Sequence, residues 1–380
     1  MKKILFFDEE IVGHHLEYLN HFFLKAVCYS DIEFVFAIPK SFQDYKQKWY
    51  WPSAPNIRFR FLTNDELVQT ENKSLLSIAL HGSCLIRKIV KETQADSIFL
   101  IYLQRYMPFL PFLIPGYTTA NGIIYKIYLY AWPDTGFFRK AIDVFLYWLY
   151  ARMPCFDRIF ILNDRSSTAY LNKIWKTDRF TYLTDPYSGD TKKVCTPGNV
   201  HNDKLIFLHF GALAKRKGTI DILYALKTLS KVEQEKIHFI FAGQVLDEIK
   251  TEFYQLTDEL GGKIEIDIYD DYLPLERIEE FCAISDYILV PYYNTAQSSG
   301  VISYAAKYSV PVIGPKKGLL GKIIRTFKLG ITLQDINAES ICNQIKNCIQ
   351  TKRLKTSSDY LSCHTVSDFQ NQIFSTLTLR

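Results

Sequence analysis

Twice along this chain, short apolar runs alternate with amphipathic helical patterns, and the alternation breaks off and restarts around residues 185–203. A short run that is apolar at nearly every position suits a strand covered on both faces, and strands separated by helices pair in parallel. The first series reads as strands at Lys3–Asp8 (KILFFD), Glu33–Ile38, Ser97–Leu103 (SIFLIYL) and Asp157–Leu162. Its helices are Leu16–Cys28, Ser74–Val90 and one that begins near Thr168, capped from Asn163–Ser167. The second series reads as strands at Leu205–Phe210 (LIFLHF), His238–Ala242, Ile264–Ile268, Tyr287–Pro291 and Val310–Ile313. Its helices are Thr219–Ser230, Val245–Leu260, Leu275–Ile284, Val301–Tyr308, Glu339–Gln350 and Val366–Thr376. Residues 185–203 are rich in proline, glycine and polar residues and read as a linker. The pattern predicts an α/β chain of two doubly wound, Rossmann-like domains facing across a cleft that holds the ligand. Their bounds are set at 1–195 and 196–363, with a C-terminal helix (about 364–380) crossing back to the first domain.

A composition of 48% hydrophobic residues supplies two packed cores, and a net charge of +5 is too small to imply nucleic acid. It suits anionic substrates or an anionic membrane surface. Cys28, Cys84, Cys155, Cys195, Cys282, Cys342, Cys348 and Cys363 form no C-x-x-C pair and no common zinc spacing; most read as buried free thiols of a cytosolic protein. No metal-ligand set is evident. The first apolar run, Ile4–Phe7, is too short for a signal peptide, and no window is long and apolar enough for a transmembrane helix. Residues 106–155 stand out for aromatics interspersed with Lys126, Arg139, Lys140 and Arg152. They read either as core helices or as an aromatic and basic surface for a membrane interface or a lipid-linked acceptor.

The stretch Ser285–Gly314 (SDYILVPYYNTAQSSGVISYAAKYSVPVIG) reads as strand, loop, helix and strand. Gln297-Ser298-Ser299-Gly300 then opens a helix at the carboxyl end of a strand, where N–H groups and the helix dipole favour a phosphate. Ser298 and Ser299 are expected to cap that helix and donate to phosphate oxygens. At the end of Leu205–Phe210, Gly211 begins a basic loop, Lys215-Arg216-Lys217-Gly218. Taken alone, that loop reads as a solvated turn or as cations for an anionic group.

Taken in order, these features resemble the C-terminal domain of the retaining, GT-B-fold glycosyltransferases of family four. The resemblance rests on Gly211 with Lys217-Gly218, Phe241-Ala242-Gly243, Ser285-Asp286, Val290-Pro291, the loop Gln297–Gly300, Tyr304-Ala305-Ala306 and Val310–Gly314. It covers residues 204–350 well, and the N-terminal half only as a fold-level expectation. It implies transfer of a sugar from a nucleotide-diphosphate sugar to a glycan or lipid-linked glycan, with retention, in cell-surface polysaccharide synthesis. No metal and no further cofactor is implied. Breaking a sugar–phosphate bond needs cations and N–H dipoles aimed at the leaving diphosphate. The resemblance gives that task to Gly211, Lys217 with Lys215 or Arg216, and Ser298, Ser299 and Gly300. Three departures stand out. Ala212 occupies the family's arginine position, and Ala296 and Tyr304 replace its paired glutamates. Tyr304 either takes over the contact to the donor ribose or packs. Tyr272 either meets the nucleobase or packs.

In the first half, Gly13, His14 and His15 follow the first strand on a loop expected to face the cleft. The histidines are candidates to contact phosphate or acceptor, or to act as a base; the other reading is a local contact at a helix start. Glu17 reads as a dipole-compensating group, and Asp185-Pro186-Tyr187 as a hinge. Two other readings remain: a non-catalytic nucleotide- or glycan-binding partner protein, which the missing glutamates favour, and a nucleotide-sugar epimerase.

Overall fold

In a computed structural model, the described residues are 1–10, 14–45, 53–67, 73–126, 129, 136–187, 204–296, 298–351, 354, 356 and 359–378. Strand runs that are apolar at nearly every position become parallel strands buried on both faces, as at Leu5–Phe7 and Phe207–Phe210. The first series gives β1 (Lys2–Phe7), α1 (His14–Ala26), β2 (Ile32–Pro39), β3 (Ile57–Leu62), α2 (Leu75–Thr93) and β4 (Ser97–Leu100). It continues through α3 (Leu110–Leu113), β5 (Thr119–Ile124), α4 (Phe137–Arg152), β6 (Phe156–Leu162), α5 (Arg165–Trp175) and β7 (Phe180–Leu183). The second gives β8 (Leu205–Phe210), α6 (Thr219–Lys227), α7 (Lys231–Gln234), β9 (Ile237–Ala242), α8 (Asp247–Leu260), β10 (Glu265–Tyr269) and α9 (Leu275–Ile284). After these come β11 (Tyr287–Leu289), α10 (Val301–Lys307), β12 (Val312–Pro315), α11 (Gly318–Thr326), β13 (Gly330–Leu333), α12 (Ala338–Gln350) and α13 (Val366–Thr378).

The chain divides into two compact units, Met1–Ser188 with His364–Arg380, and Gly189–Cys363. In the first, a seven-stranded parallel sheet runs in the order β3-β2-β1-β4-β5-β6-β7. One face buries α2, α4 and α5; the other buries α1 and α13, where Phe22 and Phe374 stack on Phe6 and Phe369 stacks on Phe22. In the second, a six-stranded parallel sheet runs β10-β9-β8-β11-β12-β13. Each unit therefore has a topological switch point, at β1/β4 and at β8/β11, where an open α/β sheet holds its ligand beyond the strands' carboxyl ends.

Local chemistry sets several boundaries. Asp164 caps α5 by accepting from the Ser166 and Ser167 N–H groups, both at 3.1 Å. Asp185, near the end of the first unit, is buried, accepts the Tyr18 hydroxyl at 2.5 Å, and donates its N–H to Asn163 Oδ1 at 2.8 Å. Glu17 does lie in the first turn of α1. Cys282, Cys342 and Cys348 are buried, but Cys28, Cys84 and Cys363 are exposed and Cys155 is half-buried; Cys195 lies outside the described residues. The expectation that most thiols are buried therefore fails among the described residues, because Cys84 lies on the outer side of α2 and Cys28 and Cys155 in turns. No described helix is long and apolar enough to cross a membrane.

Candidate active site

In the second unit, the loops that follow β8, β11 and β12 are sewn together at the carboxyl edge. The Tyr293 N–H donates to the Arg216 carbonyl at 3.0 Å, and the Leu319 N–H to the Thr295 carbonyl at 2.7 Å. Two glycines permit the close approach. Gly218 has φ +71°, and a Cβ there would lie 2.4 Å from the Pro291 carbonyl oxygen; Gly318, also at +71°, would place one 2.1 Å from Thr295 Oγ1. The basic loop is thus fixed against the β11 loop that the sequence singled out.

Lys217 is half-buried and turns back over this edge. Its ammonium lies 5.1 Å from the centre of the Tyr292 ring, and a Cβ on Gly211 would come within 2.8 Å of its Nζ. Tyr292 is itself buried, with no hydrogen-bond partner at its hydroxyl. Lys215 and Arg216 are exposed, and the Lys215 N–H donates to Glu248 Oε1 at 3.0 Å. Ser298, Ser299 and Gly300 are half-buried on the loop into α10. The expected serine cap is not formed. Gly300 is the cap residue with αR backbone (φ −58°, ψ −23°) and no side-chain cap bond, and Ser299 engages α10 through its carbonyl, which accepts the Ile302 N–H at 3.1 Å. The helix is only seven residues long, so its dipole is weak and the positive potential here rests mainly on the lysine. Gln297 lies outside the described residues.

Tyr304 joins this group: its ring meets Phe210, the last residue of β8, edge-on at 5.8 Å. Tyr272 does not. It is 88% exposed in the turn after β10, the edge strand two places from β8. Two features escaped the sequence reading. His209 is fully buried behind the basic loop, its Nδ1 2.9 Å from the Leu289 carbonyl and its Nε2 3.0 Å from Thr219 Oγ1. A carbonyl only accepts, so Nδ1 carries the proton and Nε2 accepts from the threonine hydroxyl. That hydroxyl in turn receives the Ala214 N–H at 3.1 Å, which fixes the start of the loop. Burial pulls the imidazole down to about 4, with Lys217 acting in the same direction, so the ring is neutral. The second feature is Lys316-Lys317, both exposed, at the start of α11 beside the same loops. An apolar run beginning in Lys-Lys-Gly was the only signal for it.

The first unit has its own cluster at the β1/β4 switch point. Asp8 is buried, and its Oδ2 lies 2.7 Å from His15 Nδ1. His15 Nε2 is 3.6 Å from Glu10 Oε2. Arg105, just past β4, binds Glu9 through Nε at 3.0 Å and Glu10 through Nη1 at 2.5 Å. Burial raises the Asp8 carboxyl above its ordinary value despite the His15 hydrogen bond, and raises Glu9 despite Arg105. The sequence reading placed His14 and His15 on a loop; both lie in α1, with His15 in its first turn. Gly13 and the His14 side chain lie outside the described residues. Asp8, Glu9 and Glu10 form the acidic side of this cluster, which no motif in the sequence announces. A cavity of about 480 Å³ in this unit opens at the opposite edge of the sheet from the β1/β4 switch point, beside Lys2, Asn121 and Arg158.

Residues 196–360 match the family model of the glycosyl transferases group 1. No curated protein matches the chain. Among solved structures, the chain is similar over 100% of its length to 100% of Anabaena Alr3699/HepE in complex with UDP and glucose, at 16% identity and a TM-score of 0.68. It is similar over 99% of its length to 95% of WaaG, a glycosyltransferase involved in lipopolysaccharide biosynthesis, at 14% identity and a TM-score of 0.64. Sucrose-phosphate synthase from Thermosynechococcus elongatus matches over 100% and 99% of the two chains, at 12% identity and a TM-score of 0.67. The chain thus carries the GT-B fold, and its residues 196–360 match the family model of the glycosyl transferases group 1.

Proposed function

We propose that this protein is a glycosyltransferase that moves a sugar from a nucleotide-diphosphate sugar to a hydroxyl of a glycan or lipid-linked glycan, with retention, in cell-surface polysaccharide synthesis. The observation that carries the reading is Lys217, held over the β8 strand end by the Arg216–Tyr293 hydrogen bond and the Gly218–Pro291 contact. A fixed cation there neutralises charge as it builds on the leaving diphosphate, with no reorganisation during the reaction. Lys215 and Arg216 add mobile positive charge. Ser298, Ser299 and the Gly300 backbone donate to phosphate oxygens, and Gly211 lets the diphosphate approach the strand end. Tyr304, packed against Phe210 at the end of β8, takes the donor-ribose side. The reading assigns charge neutralisation to these groups, without a metal.

In the first unit, His14 and His15 serve the acceptor and the donor phosphates. Asp8 orients the His15 ring through the 2.7 Å contact at Nδ1, the arrangement of a group that takes a proton from a hydroxyl. The protein works in the cytoplasm at the inner face of the membrane. The missing glutamates at Ala296 and Tyr304 favour one rival, a nucleotide-binding partner without turnover. A thermal-shift panel of nucleoside diphosphates, beginning with UDP because the HepE structure holds it, tests binding; turnover of the matching nucleotide sugar separates enzyme from binder. A rise in Tm with one diphosphate and none with the others is the expected result.

A further inference from the structure

On a globular surface, a helix turns its apolar side to the core and its polar side to water. α4 is apolar on both sides. Tyr147, Leu149, Tyr150 and Ala151 are buried against the sheet, while Phe138, Ile142, Phe145 and Trp148 form a stripe on the outer side. These are not marginal exposures: Phe138 is 84% exposed, and Phe137 beside it 81%. Phe145 and Trp148 stack on each other at 6.0 Å and leave their outer surface uncovered. An exposed aromatic stripe of this length marks a docking surface.

The charges around the stripe identify the partner. Lys140 and Arg152 are exposed on α4, and Arg139 covers its single acid, the buried Asp143, at 3.4 Å. The neighbouring α5, which touches α4 on the same face of the sheet, exposes Tyr170 and Ile174 beside Lys173 and the C-cap Lys176 and has no acidic residue. A face with exposed aromatics, several cations and no exposed carboxylate on either helix repels a second copy of itself and complements an anionic lipid surface. We infer that the outer faces of α4 and α5 dock this protein on an anionic membrane, with Phe138, Phe145 and Trp148 entering the headgroup boundary and the lysines and arginines lying on lipid phosphates. The inference deepens the lipid-linked acceptor reading, and its residues lie outside the donor loops.

The test is flotation of the full-length protein with vesicles of phosphatidylglycerol and phosphatidylethanolamine, against vesicles of phosphatidylcholine alone. Wild type is expected to float with the anionic vesicles and to release them at high salt. The Phe138→Ser/Phe145→Ser variant, with unchanged circular dichroism and Tm, is expected to lose about tenfold or more in partition coefficient, as is Lys140→Glu/Arg152→Glu. Absence of anionic vesicle binding by wild type overturns the inference, and so does equal binding by the folded variants. A wild-type dimer that the phenylalanine variant breaks also overturns it, because the face then belongs to a second copy. UDP thermal shifts on the same variants separate this outcome from failure of the donor-site reading.

Discussion

The ammonium of Lys217 stands 5.1 Å over the centre of the Tyr292 ring, at the point where the β8 and β11 loops are tied together. Lysine and ring come from different strand ends, so the cation is positioned by the fold and not by its own flexible stem. Lys217→Met keeps the apolar stem over the ring and removes the charge. It is expected to lower turnover of the matching nucleotide sugar about a hundredfold or more, with Tm little changed. Arg216→Ala, at an exposed position, is expected to cost much less, and steady-state kinetics of both variants checks the order.

Gly218→Ala tests the seam between the loops. The added Cβ meets the Pro291 carbonyl at a position with φ +71°. Strain and clash together are expected to cost about 1–3 kcal/mol, and to reduce diphosphate binding as the basic loop shifts away from β11. Chemical denaturation and calorimetry on the same variant measure the two effects.

His209 makes stability depend on acid. Its ordinary value is 6.5 and burial lowers it to about 4, so the unfolded chain takes up this proton before the folded one does. The contribution is fully present above pH 6.5 and is lost as pH falls through that interval toward 4. At about 1.4 kcal/mol per unit, the interval corresponds to about 3 kcal/mol. His209→Gln is expected to flatten the acid side of the stability curve between pH 6.5 and 4 in urea titrations.

The legible parts of the fold were those whose pattern reports burial directly. β8 and α9 lie where the sequence puts them to the residue, because one is apolar at every position but His209 and the other has an unbroken helical stripe. β3 was missed in a stretch read as irregular. It is an edge strand, IRFRFL, whose arginines are served by Glu33 and Glu66, so it lacks a continuous apolar run. β5 was hidden by Asn121-Gly122, a turn signal in isolation. In the sheet the Asn121 amide donates to Ser97 and accepts the Arg158 N–H, and a Cβ on Gly122 would meet the Leu100 carbonyl at 2.7 Å. Of the candidate site, the two loops were legible because glycine and lysine types announce anion chemistry. His209 was not, since one histidine in a buried strand carries no local sign of the threonine and carbonyl it will meet.

Lys307 shows the cost of the helix that follows the candidate loop. Its side chain is 1% exposed and its ammonium lies 2.6 Å from Glu279, joining α10 to α9. Lys307→Ala removes this ion pair from a partly buried carboxylate and is expected to destabilise the protein by about 1–3 kcal/mol. Replacing both residues, Lys307→Met with Glu279→Gln, is expected to recover much of that loss in the same denaturation assay.

The central claim is that the β8/β11 switch point binds a diphosphate through Lys217. The most direct measurement is a calorimetric titration of wild type and Lys217→Met with UDP and, in parallel, GDP. Binding of one of the two by wild type, weakened about tenfold or more in the folded variant, is the predicted result. Equal affinity in both proteins, or no binding of either diphosphate by wild type, would contradict it.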